Sequence, residues 1–381
     1  MSDRIEFTVG VRSEVHRDGH LRLSLETSEI AHPAPDEIVV EMMAAPLHPA
    51  DINLLLGPAD LSSAVASRHG ASRTVSAMIP PEKMAGLAAR AGKSLPVGNE
   101  GAGVVVDAGE PLLHLVGKSV AVMGGGMVTR YRKVPISDAL PLPHGVPVKA
   151  GAAVLINPLT ALAMLETLRK EGHTALVHTA AASSLGQVLN RICLEDGIGL
   201  VNVVRRPEQA ELLRRQGARY VCDSSSPDFV AELDAQVAET GATVAFDAVG
   251  GGRLASQILS AMERHALAGL QGYSRYGSKT RKQIYFYGGM DPRPTELDLR
   301  AYGMSWSAGA WLIFDELPQM APERKDALLE RISRGMLTTF ASNFAGELSL
   351  SELLYPGNLK RIAARRTGEK YFINPSIELE E

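Results

Sequence analysis

The sequence is poor in the features that usually give a function away. It has only two cysteines, Cys193 and Cys222, far apart and in no CxxC pair. That excludes a cysteine-built zinc site, which needs two to four thiolates at short spacing. The pair reads as two small buried hydrophobes in a reducing compartment. There is no excess of one charge: 39 Lys and Arg face 43 Asp and Glu, a formal net charge of -4. Nothing electrostatic therefore favours nucleic acid or an anionic membrane as partner. Long hydrophobic runs are lacking too. The longest, such as Gly103-Val-Val-Val106 and Ala175-Leu-Val177, have the length of strands. The opening MSDRIEFTVG has no apolar leader, and no internal repeat or long linker is visible. The expectation is a soluble, cytoplasmic protein without a membrane partner.

What is present is an ordinary globular composition, 45% apolar and 22% charged over 381 residues, enough for one large or two ordinary domains. The first part is strand-rich and broken by turns, with strands expected at Glu37–Met43, Gly103–Val106 and Ser119–Met123. After Pro158 the pattern changes to an alternation of short apolar runs and amphipathic stretches. Strands are expected at 175–178, 199–204, 220–222, 243–247 and 283–287, and helices at 159–170, 185–195, 207–216, 227–240 and 254–264. Such alternation signals a parallel sheet covered on both faces, hence a doubly wound α/β domain. A helix over 321–335 and a last strand over 370–373 follow. Two segments look like insertions: residues 58–96, with a helix expected over 81–91, and a polar loop over 271–282 that carries Arg275, Lys279, Arg281 and Lys282.

The strand ending at His178 runs into Thr179-Ala-Ala-Ala-Ser-Ser-Leu-Gly186 and then a helix. A tight strand-to-helix turn offers backbone N–H groups and a helix N-terminus to a pyrophosphate. The usual glycine-rich fingerprint is reduced to Gly186, with Ala and Ser at the earlier places. Ala180, Ser183, Ser184, Leu185 and Gly186 are the candidate phosphate contacts; small residues packing before a helix are the alternative. At the end of the next strand, Val203-Val-Arg-Arg206 offers Arg205 and Arg206 where NAD sites place a carboxylate. A guanidinium suits a phosphomonoester, so NADPH is the expected cofactor; two solvated arginines opening a surface helix is the alternative. Phe246-Asp-Ala-Val-Gly-Gly251 and Tyr287-Gly-Gly-Met290 also end apolar strands in glycine. Ala248, Val249, Gly250, Gly288 and Gly289 are thus candidates for the same crevice, or ordinary turns.

These stretches, with His48-Pro-Ala-Asp-Ile-Asn53, Gly98-Asn-Glu-Gly-Ala-Gly-Val104, Ile156-Asn-Pro-Leu-Thr-Ala161 and Arg366-Thr-Gly-Glu-Lys370, resemble the medium-chain dehydrogenase/reductase superfamily. The likeness is to its zinc-lacking quinone oxidoreductase and enoyl-thioester reductase branches, and it spans nearly the whole chain in order. It implies a GroES-like β-rich catalytic domain, 1–157 completed by 308–381, and a Rossmann NADP-binding domain, 158–307. The resemblance implies an oligomer that is often a homodimer, and an exposed edge strand expected near Tyr285 would suit pairing of two Rossmann sheets. By the same resemblance His48, Asp51 and Asn53 are the catalytic candidates. His48, Asn157, Thr160 and Lys370 join the cofactor contacts.

Zinc-dependent relatives carry metal ligands at the positions matching His48, Asn99 and Ile156. Asparagine is a poor zinc ligand and isoleucine none, so no metal is expected. Without a Lewis acid, reduction of a quinone or an α,β-unsaturated carbonyl is favoured over alcohol oxidation. Enoyl reductases carry a tyrosine shortly after the glycine matching Gly57, where this chain has Pro58-Ala-Asp60. His48 replaces the usual asparagine and is a candidate proton donor, a hydrogen-bond donor to the cofactor or a packed side chain. The leading expectation is zinc-free, NADPH-dependent reduction of a quinone or enone, a small molecule. The alternatives are an enoyl-thioester reductase and a non-catalytic NADPH-binding relative.

Overall fold

The structure, a computed structural model, describes residues 5–69 and 72–377. The chain forms two compact units, one of Met1–Ile156 with Arg331–Glu381, the other Asn157–Glu330.

The first unit is built on short strands: β1 Phe7–Val15, β2 His20–Glu29, β3 Glu37–Pro46, β4 Asp60–His69, β5 Ser72–Met78, β6 Ser94–Pro96, β7 Glu100–Ala108, β8 Ser119–Met123, β9 Tyr131–Pro135 and β10 Ala139–Pro141. Helix α1, Pro49–Leu56, follows β3, and the short α2, Pro81–Met84, follows β5.

The second unit begins in α3, Ile156–Lys170. It alternates β11 Ala175–Thr179, α4 Ser184–Asp196, β12 Gly199–Val204, α5 Pro207–Arg215, β13 Tyr220–Asp223, α6 Phe229–Thr240, β14 Val244–Asp247, α7 Leu254–Ala268, β15 Lys282–Phe286 and β16 Trp306–Ala310, then ends in α8 Ile313–Glu316 and α9 Pro322–Arg334. The first unit is completed by β17 Gly346–Leu348, α10 Leu350–Leu353, α11 Pro356–Ala363 and β18 Tyr371–Ile373.

Two sheets make up the first unit. One has the order β4-β5-β2-β1-β6, the other β10-β8-β7-β3-β18-β17, with β9 also on β3. Period-two burial is plain in β1 and β2, where Val11, Val15, Leu21 and Leu23 join Ile38, Val40, Met42, Val120 and Val122 in one core. The expectation of a helix over 81–91 is corrected here. β4 pairs with β5, and β5 with β2, with Val75 and Ala77 buried. The helix shrinks to α2 and a 3-10 turn, Ala85–Leu87, as the glycine within the run, Gly86, disfavours helix.

In the second unit every strand pair is parallel, in the order β13-β12-β11-β14-β15-β16. The order reverses between β11 and β14, the switch point outside whose strand ends ligands bind in such sheets.

Three expectations need correction. β15, with Tyr285, lies inside the sheet, and the edge is β16. Its Trp-Ser-Ala-Gly-Ala sequence carries too little apolar signal to be read as a strand. Because β16 pairs with β15, the second unit runs to Glu330 rather than 307. Lastly, a 3-10 turn at Val148–Ala153 and α3 join into one helical run, Val148–Lys170. It is long and apolar enough to cross a membrane by length and composition, and 78% of its apolar window is buried within the protein. That burial is what a core helix shows.

Candidate functional site

In the first unit β3 ends at Pro46, and His48 caps α1. The His48 backbone N–H donates to Asp51 Oδ2 at 2.9 Å, the N3-to-N-cap half of a capping box. His48 Nε2 meets Glu100 Oε1 at 2.6 Å, and Glu100 is fully buried at the start of β7. The other carboxylate oxygen, Oε2, accepts the backbone N–H groups of Leu155 and Ile156 at 2.9 and 3.0 Å. Glu100 therefore ties β3, β7 and the start of α3 together. Of the two ring nitrogens of His48, Nε2 is engaged by Glu100.

Asp51 is buried, and desolvation holds its carboxyl above the usual range against the pull of His48. Lys370 belongs to the same cluster. Its ammonium is out of contact with solvent, has no hydrogen-bond partner and lies 5.4 Å from the centre of the Phe344 ring. Burial lowers its pKa to about 8, although the carboxylates of Glu100 and Asp51 favour the charged form. Asn53 is exposed one turn along α1, where Arg365 donates to its side-chain oxygen at 2.5 Å. Sequence reasoning quoted Glu100 within a motif but gave it no role. A glutamate in a strand looks like a solvent-facing residue, and only its partners show otherwise.

In the second unit the turn after β11 has the form of an anion cradle. Ala180 takes a left-handed φ of 49°, where glycine is usual. Ser183 caps α4, its hydroxyl accepting from the Gly186 N–H at 3.1 Å. Gly186 must be glycine, because a Cβ there would sit 2.2 Å from the Ala181 carbonyl oxygen. Ser184 is half-buried beside it, and the side chain of Leu185 is buried, so Leu185 can offer a ligand only its backbone. Asn157 and Thr160 are both buried in the first turns of α3.

Arg205 and Arg206 follow β12 and are exposed. The Arg205 N–H donates to Gln209 Oε1 at 3.2 Å. The chain supplies a carboxylate from far along the sequence: Asp291 lies within electrostatic reach of Arg205. It is held by the guanidinium of Arg293, which keeps its pKa at about 2.

The glycines after β14 and β15 answer mainly to one another. A Cβ on Gly250 would lie 2.8 Å from the Gly288 carbonyl oxygen, and one on Gly288 would lie 2.7 Å from that of Ala248. Met290 and Asp291 donate to the carbonyls of Ala248 and Val249. This close packing, with a left-handed φ of 77° at Gly250, requires glycine at 250 and 288, whereas Gly289 faces open space.

Beneath these turns lies a buried polar layer that sequence reading missed. Thr179 donates to Asp247 Oδ1 at 2.6 Å, and Asp247 accepts the N–H groups of Val249 and Gly250. His178, fully buried, pairs through Nε2 with the Tyr287 hydroxyl at 2.7 Å. Desolvation lowers the His178 pKa to about 3 and raises that of Tyr287.

No family model matches the chain. It is 32% identical over 213 residues to the mitochondrial enoyl-[acyl-carrier-protein] reductase of Xenopus tropicalis, covering 54% of this chain and 52% of that protein. The chain thus spans about half the length of this curated relative. Among solved structures it resembles a protein assigned as an NADPH:quinone reductase from Mesorhizobium loti (TM-score 0.70, 23% identity, 98% of this chain and 100% of that one). It also resembles the enoyl thioester reductase of Candida tropicalis in a mutant form (TM-score 0.66, 21% identity, 97% and 100%). At these identities the two structures establish the fold: a GroES-like unit and a Rossmann unit.

Proposed function

We propose that this chain, which belongs to the medium-chain dehydrogenase/reductase superfamily in its quinone and enoyl reductase-like branch, is an NADPH-dependent reductase of a quinone or an α,β-unsaturated carbonyl. The observation that carries this reading is the pair of strand ends at the switch point. After β11 comes a left-handed Ala180, the Ser183 cap and an obligatory Gly186 at a helix N-terminus. After β12 come two exposed guanidiniums. The first suits a pyrophosphate and the second a phosphomonoester on the adenosine ribose. When bound, NADPH supplies the hydride. The residues of the chain do the rest: the backbone at 180–186 orients the phosphates, and the buried Thr179–Asp247 pair holds the turn at 248–250 rigid.

The donor set also supports a reaction without metal. The positions that carry zinc in dehydrogenases hold His48, Asn99 and Ile156, and His48 Nε2 is given to Glu100. His48 then acts as a positioning residue through its contact with Glu100. Asn53 is exposed on α1, with its side-chain oxygen held by Arg365.

An enoyl-thioester substrate is the second reading. It is favoured by the enoyl-[acyl-carrier-protein] reductase name of the Xenopus relative. The test is oxidation of NADPH in the presence of a benzoquinone, a simple enone and a crotonyl thioester. Turnover of the first two supports the leading reading, and turnover of the thioester alone supports the second. Absence of turnover with all three, with NADPH bound, points to a non-catalytic cofactor-binding protein.

A further inference from the structure

The geometry points to a second anion site, in the first unit, built for a phosphoryl-type oxyanion around Arg12 and Arg132. Its place is a small cavity of about 40 Å³ between the outer face of β1 and the start of β9. A water needs roughly 10–15 Å³ of such volume, so the space matches a few waters or one tetrahedral oxyanion.

Arg12 and Arg132 line this cavity together with Thr8, Ser28 and Tyr131. Arg132 is largely desolvated, and the charge of Arg12 opposes its own. Its Nε is buried without a hydrogen-bond partner. Gly126, held at a left-handed φ of 71°, packs beside it.

No carboxylate lines the cavity, and the nearby acids are engaged elsewhere. Glu26 takes the hydroxyls of Ser24 and Ser94, and Glu41 pairs with Arg130 at 2.6 Å. Two like charges on residues lining one cavity, with the buried Nε of Arg132 left unpaired, are unfavourable unless an anion joins them. Arginine forks donating to a tetrahedral oxyanion satisfy both the charge and the unpaired N–H groups. This site is separate from the turn at 180–186 and does not rest on the reductase reading.

The test is calorimetric titration of the full chain with inorganic phosphate, and in parallel with phenyl phosphate. Saturating NADPH fills the turn at 180–186, and ionic strength is held with chloride. Wild type is expected to bind phosphate, with affinity reduced at least tenfold in both Arg12→Gln and Arg132→Gln. If phenyl phosphate binds as well, the occupant is the phosphoryl end of a larger molecule; if only inorganic phosphate binds, it is the free ion. In chloride alone the melting temperature of Arg132→Gln should equal or exceed that of wild type, because a repelled, desolvated charge is removed. Absence of binding in wild type, or equal binding in wild type and both variants, overturns the site. So does a fall in stability of Arg132→Gln that is the same with and without phosphate, which marks Arg132 as structural. Should NADPH fail to bind, Arg205→Ala with Arg206→Ala serves as the background, and the comparison stands.

Discussion

The imidazole of His48 and the carboxylate of Glu100 meet at 2.6 Å in the interior of the first unit, and the second oxygen of that carboxylate holds the backbone where α3 begins. One buried charge thus anchors a helix cap, a strand and the entry to a core helix. Glu100→Ala would leave two backbone N–H groups and one ring N–H without acceptors. Breaking a buried pair from one side typically costs about 3–5 kcal/mol. Urea denaturation should show a loss of that order for Glu100→Ala and a smaller one for Glu100→Gln, which keeps an acceptor oxygen.

The turn after β11 carries strain that can be relieved or increased. Ala180→Gly removes the penalty of a left-handed alanine, about 1–2 kcal/mol, and adds the extra flexibility of glycine, about 0.5–1 kcal/mol. A net gain of about 0–1.5 kcal/mol is expected in thermal unfolding. Gly186→Ala pushes a methyl into the Ala181 carbonyl. It should destabilise by about 1–3 kcal/mol or more and weaken NADPH binding more than tenfold.

His178 makes stability depend on pH in acid. Its folded pKa of about 3 lies below the unfolded value near 6.5. Between these values the unfolded chain takes a proton that the folded chain refuses. The stabilisation is therefore present above pH 6.5 and falls as pH drops toward 3, by about 1.4 kcal/mol per pH unit. His178→Asn lacks a titrating ring, and its stability should fall less steeply over the same range.

Most of the fold was legible because its signals are local. The strand at Ser119–Met123 and the helices after β11, β12 and β14 follow from apolar periodicity, and their observed ends differ by only a few residues. What escaped depends on pairing over distance. The strands β4 and β5 are rich in Ser and Ala, and their strand character comes from pairing with each other and with β2. β16 is a strand because β15 lies beside it. Lys282 looked like part of an exposed basic loop, yet it is buried against Glu263 at 2.6 Å. The candidate site was half legible. The turn at 180–186 and Arg205–Arg206 stand out by position, whereas Glu100, Asp247 and the His178–Tyr287 pair show their roles only through three-dimensional partners. The glycine at 250 is required by its own left-handed φ and by its neighbour, Gly288, a pairing that only the three-dimensional packing shows.

Lys370 makes the opposite end of the pH scale informative. Its folded pKa of about 8 lies below the unfolded value near 10.4. In that window the unfolded chain binds more protons, so stability contributed through this group rises as pH increases from 8 toward 10. Chemical denaturation across that range should show the rise in wild type and its absence in Lys370→Met.

Cofactor choice is the most direct test of the central claim. It is measured by fluorescence titration with NADPH and NADH of wild type and of Arg205→Ala combined with Arg206→Ala. Wild type should bind NADPH at least tenfold more tightly than NADH, and the double variant should lose that preference while keeping its NADH affinity. Equal affinity for the two nucleotides in wild type, or a preference that survives loss of both guanidiniums, would contradict the assignment of this strand end. Binding of neither nucleotide would contradict the reductase reading altogether.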